Sequence, residues 1–85
     1  MTEIEALKTV MTYFNISKEE FKSKSRKRKI SDCKAVLCWW YVNVLKLNKT
    51  EIGLRFLRSD SFVHANLRKV TKLNKEFEEI KQLLE

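Results

Sequence analysis

A run of cationic side chains lies between residues 22 and 29 of this 85-residue chain. Six of its eight positions are basic, namely Lys22, Lys24, Arg26, Lys27, Arg28 and Lys29. Lysine and arginine bind the regularly spaced phosphates of DNA by releasing condensed counterions, and arginine also enters narrow minor grooves. A solvated loop or a localisation signal would have the same composition. Because this run separates two expected helices, it favours a phosphate-binding loop.

A second polar surface is expected on a helix over about residues 60–72. A DNA-recognition helix places its N-terminal side chains on base edges and its basic side chains on phosphates. Every surface helix has a polar face, so this one indicates DNA binding only because a short helix and a turn precede it. The exposed candidates are Arg58 and Ser59 in the turn, followed by Asp60, Ser61, His64, Asn66, Arg68 and Lys69.

The sequence offers little for catalysis or metal binding. The single glycine, Gly53, cannot build a phosphate-cradling loop, and His64 has no cysteine or acidic partner at metal-ligand spacing. Cys33 and Cys38 are five residues apart on an expected helix and point in different directions. We expect both to be buried thiols of a reducing compartment rather than a disulfide. The sequence therefore predicts a protein that is not an enzyme and that uses no cofactor, metal ion or small-molecule substrate.

The composition indicates a small globular protein with a bias toward polyanions. Hydrophobic residues make up 44% of the chain, and 18 Lys and Arg against 11 Asp and Glu give a formal charge of +7. A basic surface can also serve solubility alone. No run reaches the ~18 apolar residues of a membrane span, and the acidic, amphipathic opening MTEIEALK is unlike a signal peptide. We expect one domain over residues 1–85, cytoplasmic and without a membrane partner.

Helices joined by short polar links are the expected architecture, because the chain has no proline and a single glycine for tight hairpins. Capping-box spacing, with a glutamate three residues after the cap, occurs at Thr2, Ser17 and Asn48. Ser31 is the expected N-cap of a further helix. Apolar residues at helical spacing predict six helices: about 3–14, a short one around Phe21, one that follows Ser31 and includes 35–45, then 49–56, 60–72 and 75–84.

The third helix is expected to be central, since residues 35–45 are apolar nearly all round. The residue types from Trp39 to Val44 favour a β-strand over a helix, but no turn residues flank them. Trp39 and Trp40 are adjacent and cannot share a face, so we expect one in the core and the other covering a neighbouring helix. The residues of the last helix expected to face inward are Phe77, Ile80, Leu83 and Leu84.

These segments, in this order, resemble the C-terminal DNA-binding domain (domain IV) of the bacterial replication initiator DnaA over nearly the whole chain. Residues 21–28 are similar to the family's leucine, Ser-Lys and arginine-rich loop. Residues 51–53 (Glu-Ile-Gly) with Phe56 are similar to its Glu-Ile-Gly-x-x-Phe, and residues 61–65 (Ser-Phe-Val-His-Ala) to its Thr-Val-x-His-Ala. The resemblance implies an all-α, Trp-repressor-like, compact six-helix domain that contains a helix-turn-helix.

The resemblance also implies roles for single residues. Arg26 matches the arginine that enters the minor groove, and Lys34 a basic residue that contacts DNA near the start of the third helix. At the turn the family has Gly-Arg-Asp-His-Thr-Thr, whereas residues 57–61 here are Leu-Arg-Ser-Asp-Ser, at least one residue shorter. Ser59 then occupies the position of the family's base-reading histidine, and Asp60 occupies the position of a threonine. A carboxylate at that position repels phosphate and accepts a hydrogen bond from a cytosine amino group. The expected DNA-binding residues are Lys24, Arg26, Lys27, Arg28, Lys29, Lys34, Arg58, Ser59, Asp60, Ser61, His64, Arg68 and Lys69.

The expected function is sequence-preferring binding of double-stranded DNA, related to recognition of a replication origin. Two alternatives stay open. One is a protein-interaction module or decoy that acts on a replication protein through the apolar surface around Trp39 or Trp40, and the other is nonspecific DNA binding. The initiator's ATPase module is not among these residues, so we expect no ATP hydrolysis or helicase loading by the chain itself.

Overall fold

The described part of the chain folds into six α-helices. The computed structural model describes residues 2–22, 27–72 and 74–84, with the backbone alone at residues 74 and 76. These residues form α1 (Glu3–Phe14), α2 (Lys18–Lys22), α3 (Arg28–Asn43), α4 (Lys49–Phe56), α5 (Asp60–Lys72) and α6 (Asn74–Leu84), and no strand. The all-helical class is confirmed, with α1, α4 and α5 at the predicted bounds. No helix in these ranges is long and apolar enough to cross a membrane.

Capping boxes set the starts of three helices. At Thr2 the two reciprocal hydrogen bonds with Glu5 are both 3.2 Å long. At Ser17, before α2, the corresponding bonds are both 3.1 Å, and at Asn48, before α4, they are 2.8 and 3.3 Å. Each box satisfies backbone N–H groups that a helix start otherwise leaves without a partner. The three boundaries were predictable because the interactions are local in sequence.

The start of α3 differs from the prediction. The helix begins at Arg28, after Lys27 as an N-cap without a side-chain hydrogen bond, so Ser31 lies inside the first turn rather than capping it. Ile30 is only 1% exposed, and burial of that side chain favours the earlier start. Arg28 Nε lies 3.6 Å from the Asp32 carboxylate one turn later, which adds local support. Arg28 and Lys29 are therefore helical residues and not part of a loop.

The core is built around α3, which contributes nine buried residues and packs against α1, α4, α5 and α6. The strand-like segment is helical as far as Asn43. Trp40 is fully buried, whereas Trp39 is half-buried with Lys81 of α6 over its ring, 5.1 Å from the ring centre. The prediction of one core tryptophan and one covering a neighbour is confirmed. Cys33 and Cys38 are buried, free thiols, as expected.

The prediction that Leu83 of α6 faces inward is wrong. Phe77, Ile80 and Leu84 are 2, 0 and 1% exposed, whereas Leu83 is 52% exposed. The three buried positions follow i, i+3, i+7 spacing and share one helix face, while position 83 lies about 100° away from its neighbour at 84.

Candidate nucleic-acid interface

Helices α4 and α5 form a helix-turn-helix around the short turn at residues 57–59. Leu57 ends α4 in the left-handed conformation, with φ 54° and ψ 43°. The Arg58 N–H then donates to the Gly53 carbonyl over 2.9 Å. A Cβ atom added to Gly53 would lie 2.7 Å from the Arg58 oxygen. The turn therefore packs directly on the backbone of α4, at a position where only glycine fits.

The first turn of α5 presents small polar side chains to solvent. Ser59, Asp60 and Ser61 are all exposed. The Asp60 carboxylate accepts a hydrogen bond of 3.3 Å from the Thr50 hydroxyl of α4. This contact holds the acidic group toward α4 and fixes the start of α5 relative to the helix before it.

A cationic face continues along α5. His64 and Arg68 are exposed as predicted, and Lys49 Nζ of α4 lies 3.2 Å from His64 Nδ1. Lys49, His64, Arg68 and Lys72 line the same open depression of about 790 Å³. Sequence reasoning missed Lys49 and Lys72. The spacing of four residues from Asp60 through His64 and Arg68 to Lys72 is the signal that could have found Lys72.

Two predicted members of the α5 face are placed differently. Asn66 was expected to be exposed and is 8% exposed instead. Its side-chain N–H donates to the Phe62 carbonyl one turn earlier, at 2.8 Å. Position 66 lies between Val63 and Val70 of the buried stripe, and the local bond satisfies the amide there.

Lys69 is also withdrawn from the surface, with 28% of its side chain exposed. Its ammonium lies 2.6 Å from the Asp32 carboxylate and donates to the Ser31 hydroxyl at 3.0 Å. Asp32 is 8% exposed, so Lys69 provides the charge that a buried carboxylate needs. The contact fastens α5 to the start of α3.

The cationic run is described at Lys22, the last residue of α2, and again from Lys27 onward. Lys27, Arg28 and Lys29 are exposed around the first turn of α3, and Lys29 Nζ lies 3.8 Å from Glu20 of α2. Lys24 and Arg26 lie outside the described residues, as does Leu73. Since Lys69 joins α5 to this end of α3, Lys27, Arg28 and Lys29 belong to the helix end that packs on the helix-turn-helix.

Lys34 and Arg58 both line a groove beside the turn. Lys34 is half-buried with its ammonium 5.8 Å from the centre of the Phe21 ring, and the Arg58 guanidinium lies 4.5 Å from the centre of the Phe62 ring. Burial lowers the pKa of Lys34, and the positive charge of Arg58 lowers it further. The structure therefore brings together two predicted cations that are far apart in sequence.

Across the described ranges, no group of three or more His, Cys, Asp or Glu side chains is placed to hold a metal ion. The apolar surface suggested as an alternative protein-binding site cannot include Trp40, which has no exposed area. Trp39, the other tryptophan suggested for that surface, is covered in part by Lys81.

Comparison with known proteins agrees with the helix-turn-helix geometry. Residues 5–70 match the family model described as the bacterial dnaA protein helix-turn-helix. The match runs from α1 to near the end of α5 and includes every interface residue predicted from the sequence, whereas Lys72 lies just beyond it. No curated protein and no solved structure matches the chain significantly.

Proposed function

Because the chain belongs to the DnaA C-terminal helix-turn-helix family, whose members bind DNA, we propose that it binds double-stranded DNA with a sequence preference, in a role related to replication-origin recognition. The observation that carries this proposal is the exposed face of α5, where small polar residues at the first turn are followed by cations along the helix. That order is the one a recognition helix needs in a major groove. The proposed role involves no catalysis.

We assign base contacts to the start of α5. Ser59 and Ser61 donate or accept hydrogen bonds at base edges, and Asp60 accepts from a cytosine amino group. His64 lies one turn further along the same face. The Asp60 carboxylate also accepts a hydrogen bond from the Thr50 hydroxyl, which fixes its position at the start of α5.

Phosphate contacts are assigned to cations on both sides of α5. Arg68, Lys49 and Lys72 lie along one side, and Arg58 lies in the turn with Lys34 nearby. The segment containing Lys24, Arg26, Lys27, Arg28 and Lys29 lies on the DNA backbone or in the adjacent minor groove in this proposal. Lys69 contributes indirectly, because its contact with Asp32 positions α3 against α5. A single module of this size should bury on the order of 600–1,000 Å² of protein surface on DNA.

Selection from random duplexes, read by sequencing, tests the proposal. Enrichment of one short motif is the expected result. No enriched motif, with binding that falls steeply as salt rises, would leave only nonspecific coating of DNA. No mobility shift on any duplex would remove DNA binding altogether and leave the protein-interaction alternative.

Arg26→Ala tests the minor-groove assignment. We expect affinity for the selected duplex to fall by about 1–3 kcal/mol, measured by fluorescence anisotropy. Lys8→Ala is the matched control, because Lys8 is an exposed cation of α1 outside the interface. Equal affinities for the two variants would remove Arg26 from the site.

A further inference from the structure

A second surface of the molecule combines an apolar floor with a cationic rim. It is a cavity of about 640 Å³ between α1, α2, α3 and the α4–α5 turn, and we call it the cationic groove. Leu7 and Met11, one turn apart on α1, supply aliphatic surface together with Leu57 of the turn. Phenylalanines of α2, α4 and α5 complete the floor. This apolar floor suits an occupant with apolar groups of its own.

The rim carries an excess of positive charge. Lys18, Lys22, Lys34, Arg55 and Arg58 all line the groove. Arg55 is neutralised by Glu3, which lies 2.9 Å from its Nε. Within the described part of the chain, no acidic side chain forms an ion pair with Lys18, Lys22 or Arg58. These cations favour an occupant that also carries negative charge.

The aromatic rings of the floor are already engaged and are not free platforms for bases. Phe56 packs on Phe21 and Phe62, with ring centres 6.2 and 5.6 Å away. Arg58 lies over Phe62, and Lys34 lies over Phe21. Single-stranded nucleic acid binds such surfaces by stacking bases on open ring faces. The groove is better suited to aliphatic side chains flanked by carboxylates.

The exposure and backbone conformation of Leu57 independently indicate a contact with an apolar partner. Its backbone is left-handed, with φ 54°, and its side chain is 89% exposed at the edge of the groove. A leucine gains nothing within the folded chain from this position, and the left-handed conformation is costly for it. An apolar partner that covered Leu57 would gain its buried area.

We propose that the cationic groove binds an acidic amphipathic helix of a partner protein. The apolar face of that helix packs on Leu7, Met11 and Leu57, as helix-in-groove recognition requires anchors at i, i+3 or i+4 and i+7. Its carboxylates pair with Lys18, Lys22 and Arg58. Because Arg58 is shared with the proposed DNA interface, a bound helix also weakens DNA binding, and this consequence alone rests on the proposed function.

The probe for the test is a labelled peptide of about 15 residues, helical and glutamate-rich, with leucines at i, i+4 and i+7. Anisotropy is measured without DNA, so the outcome does not depend on DNA binding. The comparison probes are a scrambled peptide of the same composition, a version with lysine in place of glutamate, and an oligothymidine. The variant is Leu57→Asn, since asparagine tolerates the left-handed backbone. Leu54→Asn is its control, because Leu54 is 68% exposed on α4 but does not line the groove.

The patterned acidic peptide should bind at least tenfold more tightly than the scrambled and lysine versions. Leu57→Asn should weaken it roughly tenfold, as expected for loss of one buried leucine contact, whereas Leu54→Asn should leave it unchanged. Equal binding of the patterned and scrambled peptides, or no binding by either, would overturn the proposal. Preferential binding of oligothymidine would replace it with a nucleic-acid site. Adding the peptide to a DNA complex then tests the shared use of Arg58 separately.

Discussion

Gly53 is the residue on which the geometry of the helix-turn-helix depends most directly. It lies inside α4, where glycine is about 1 kcal/mol less favourable than alanine, so helix propensity alone predicts that Gly53→Ala stabilises the protein. A Cβ atom at this position would lie 2.7 Å from the Arg58 carbonyl oxygen and 3.6 Å from the Ser59 carbonyl carbon. The two effects have opposite signs, and their magnitudes decide the outcome.

The steric effect is the larger one. A Cβ contact below 3.0 Å requires movement, and the neighbour here is backbone rather than the end of a flexible side chain. Overpacking of this kind costs about 1–3 kcal/mol. Displacing the turn also strains the 2.9 Å hydrogen bond from Arg58 N–H to Gly53, a loss of about 1 kcal/mol. After the gain of about 1 kcal/mol in propensity, we expect Gly53→Ala to lower the free energy of unfolding by about 1–3 kcal/mol.

Urea denaturation followed by far-ultraviolet circular dichroism measures this change. Leu54→Ala is the control, because Leu54 is the next residue of the same helix and is 68% exposed, so it tests helix propensity without the steric contact. In conditions where the variant is still folded, Gly53→Ala should also bind DNA more weakly, since the turn positions the start of α5. An unfolding midpoint equal to or above that of the unmodified protein would refute the close packing of the turn on α4.

Three further changes probe other parts of the fold. Lys69→Met keeps the aliphatic stem but leaves the buried Asp32 without its closest cation, so the free energy of unfolding in urea should fall by about 1–3 kcal/mol; an unchanged midpoint would show that the ion pair adds no stability. Asn48→Ala removes the α4 cap and should cost about 1 kcal/mol in thermal unfolding, an expectation contradicted by an unaltered melting temperature. Burial raises the pKa of the Cys33 and Cys38 thiols to about 12, so both should react slowly with Ellman's reagent at neutral pH until the protein unfolds. Because unfolded thiols ionise near pH 8.5 and release protons that the folded state keeps, stability should fall as pH rises above that value, and rapid labelling of the folded protein would refute the burial.

The helices that could be predicted most accurately are those set by neighbouring residues. Thr2 and Asn48 bond to glutamates three residues away, and both helices they cap begin where the sequence predicts. Ser31 has the right chemistry for a cap but lies within α3, because the preceding Ile30 is buried by packing from other helices. Packing between distant segments is not visible in the local pattern, and here it outweighed the cap preference.

The candidate site shows the same division between local and distant effects. The periodicity of α5 was sufficient to predict that His64 and Arg68 are exposed, and both are. It could not show that Lys69 pairs with Asp32, a residue 37 positions earlier that sits on another helix. Nor could it place Lys49 beside His64, because that contact depends on the angle between α4 and α5. The positions of individual cations therefore required the tertiary structure.

The turn shows which glycine of the motif is indispensable. The family places a glycine where this chain has Leu57, and the structure keeps the left-handed backbone there, with φ 54°. Asparagine, a residue that tolerates this conformation, occupies the equivalent position at the end of α1, where Asn15 also has φ 54°. A leucine can adopt it at a cost of about 1–2 kcal/mol, because its side chain extends into solvent and meets nothing. Gly53 has no such freedom, since any side chain there would collide with the backbone of Arg58. Conformational strain can be offset by stability elsewhere in the fold, whereas a backbone collision moves the turn itself, and with it the start of the helix proposed to contact DNA.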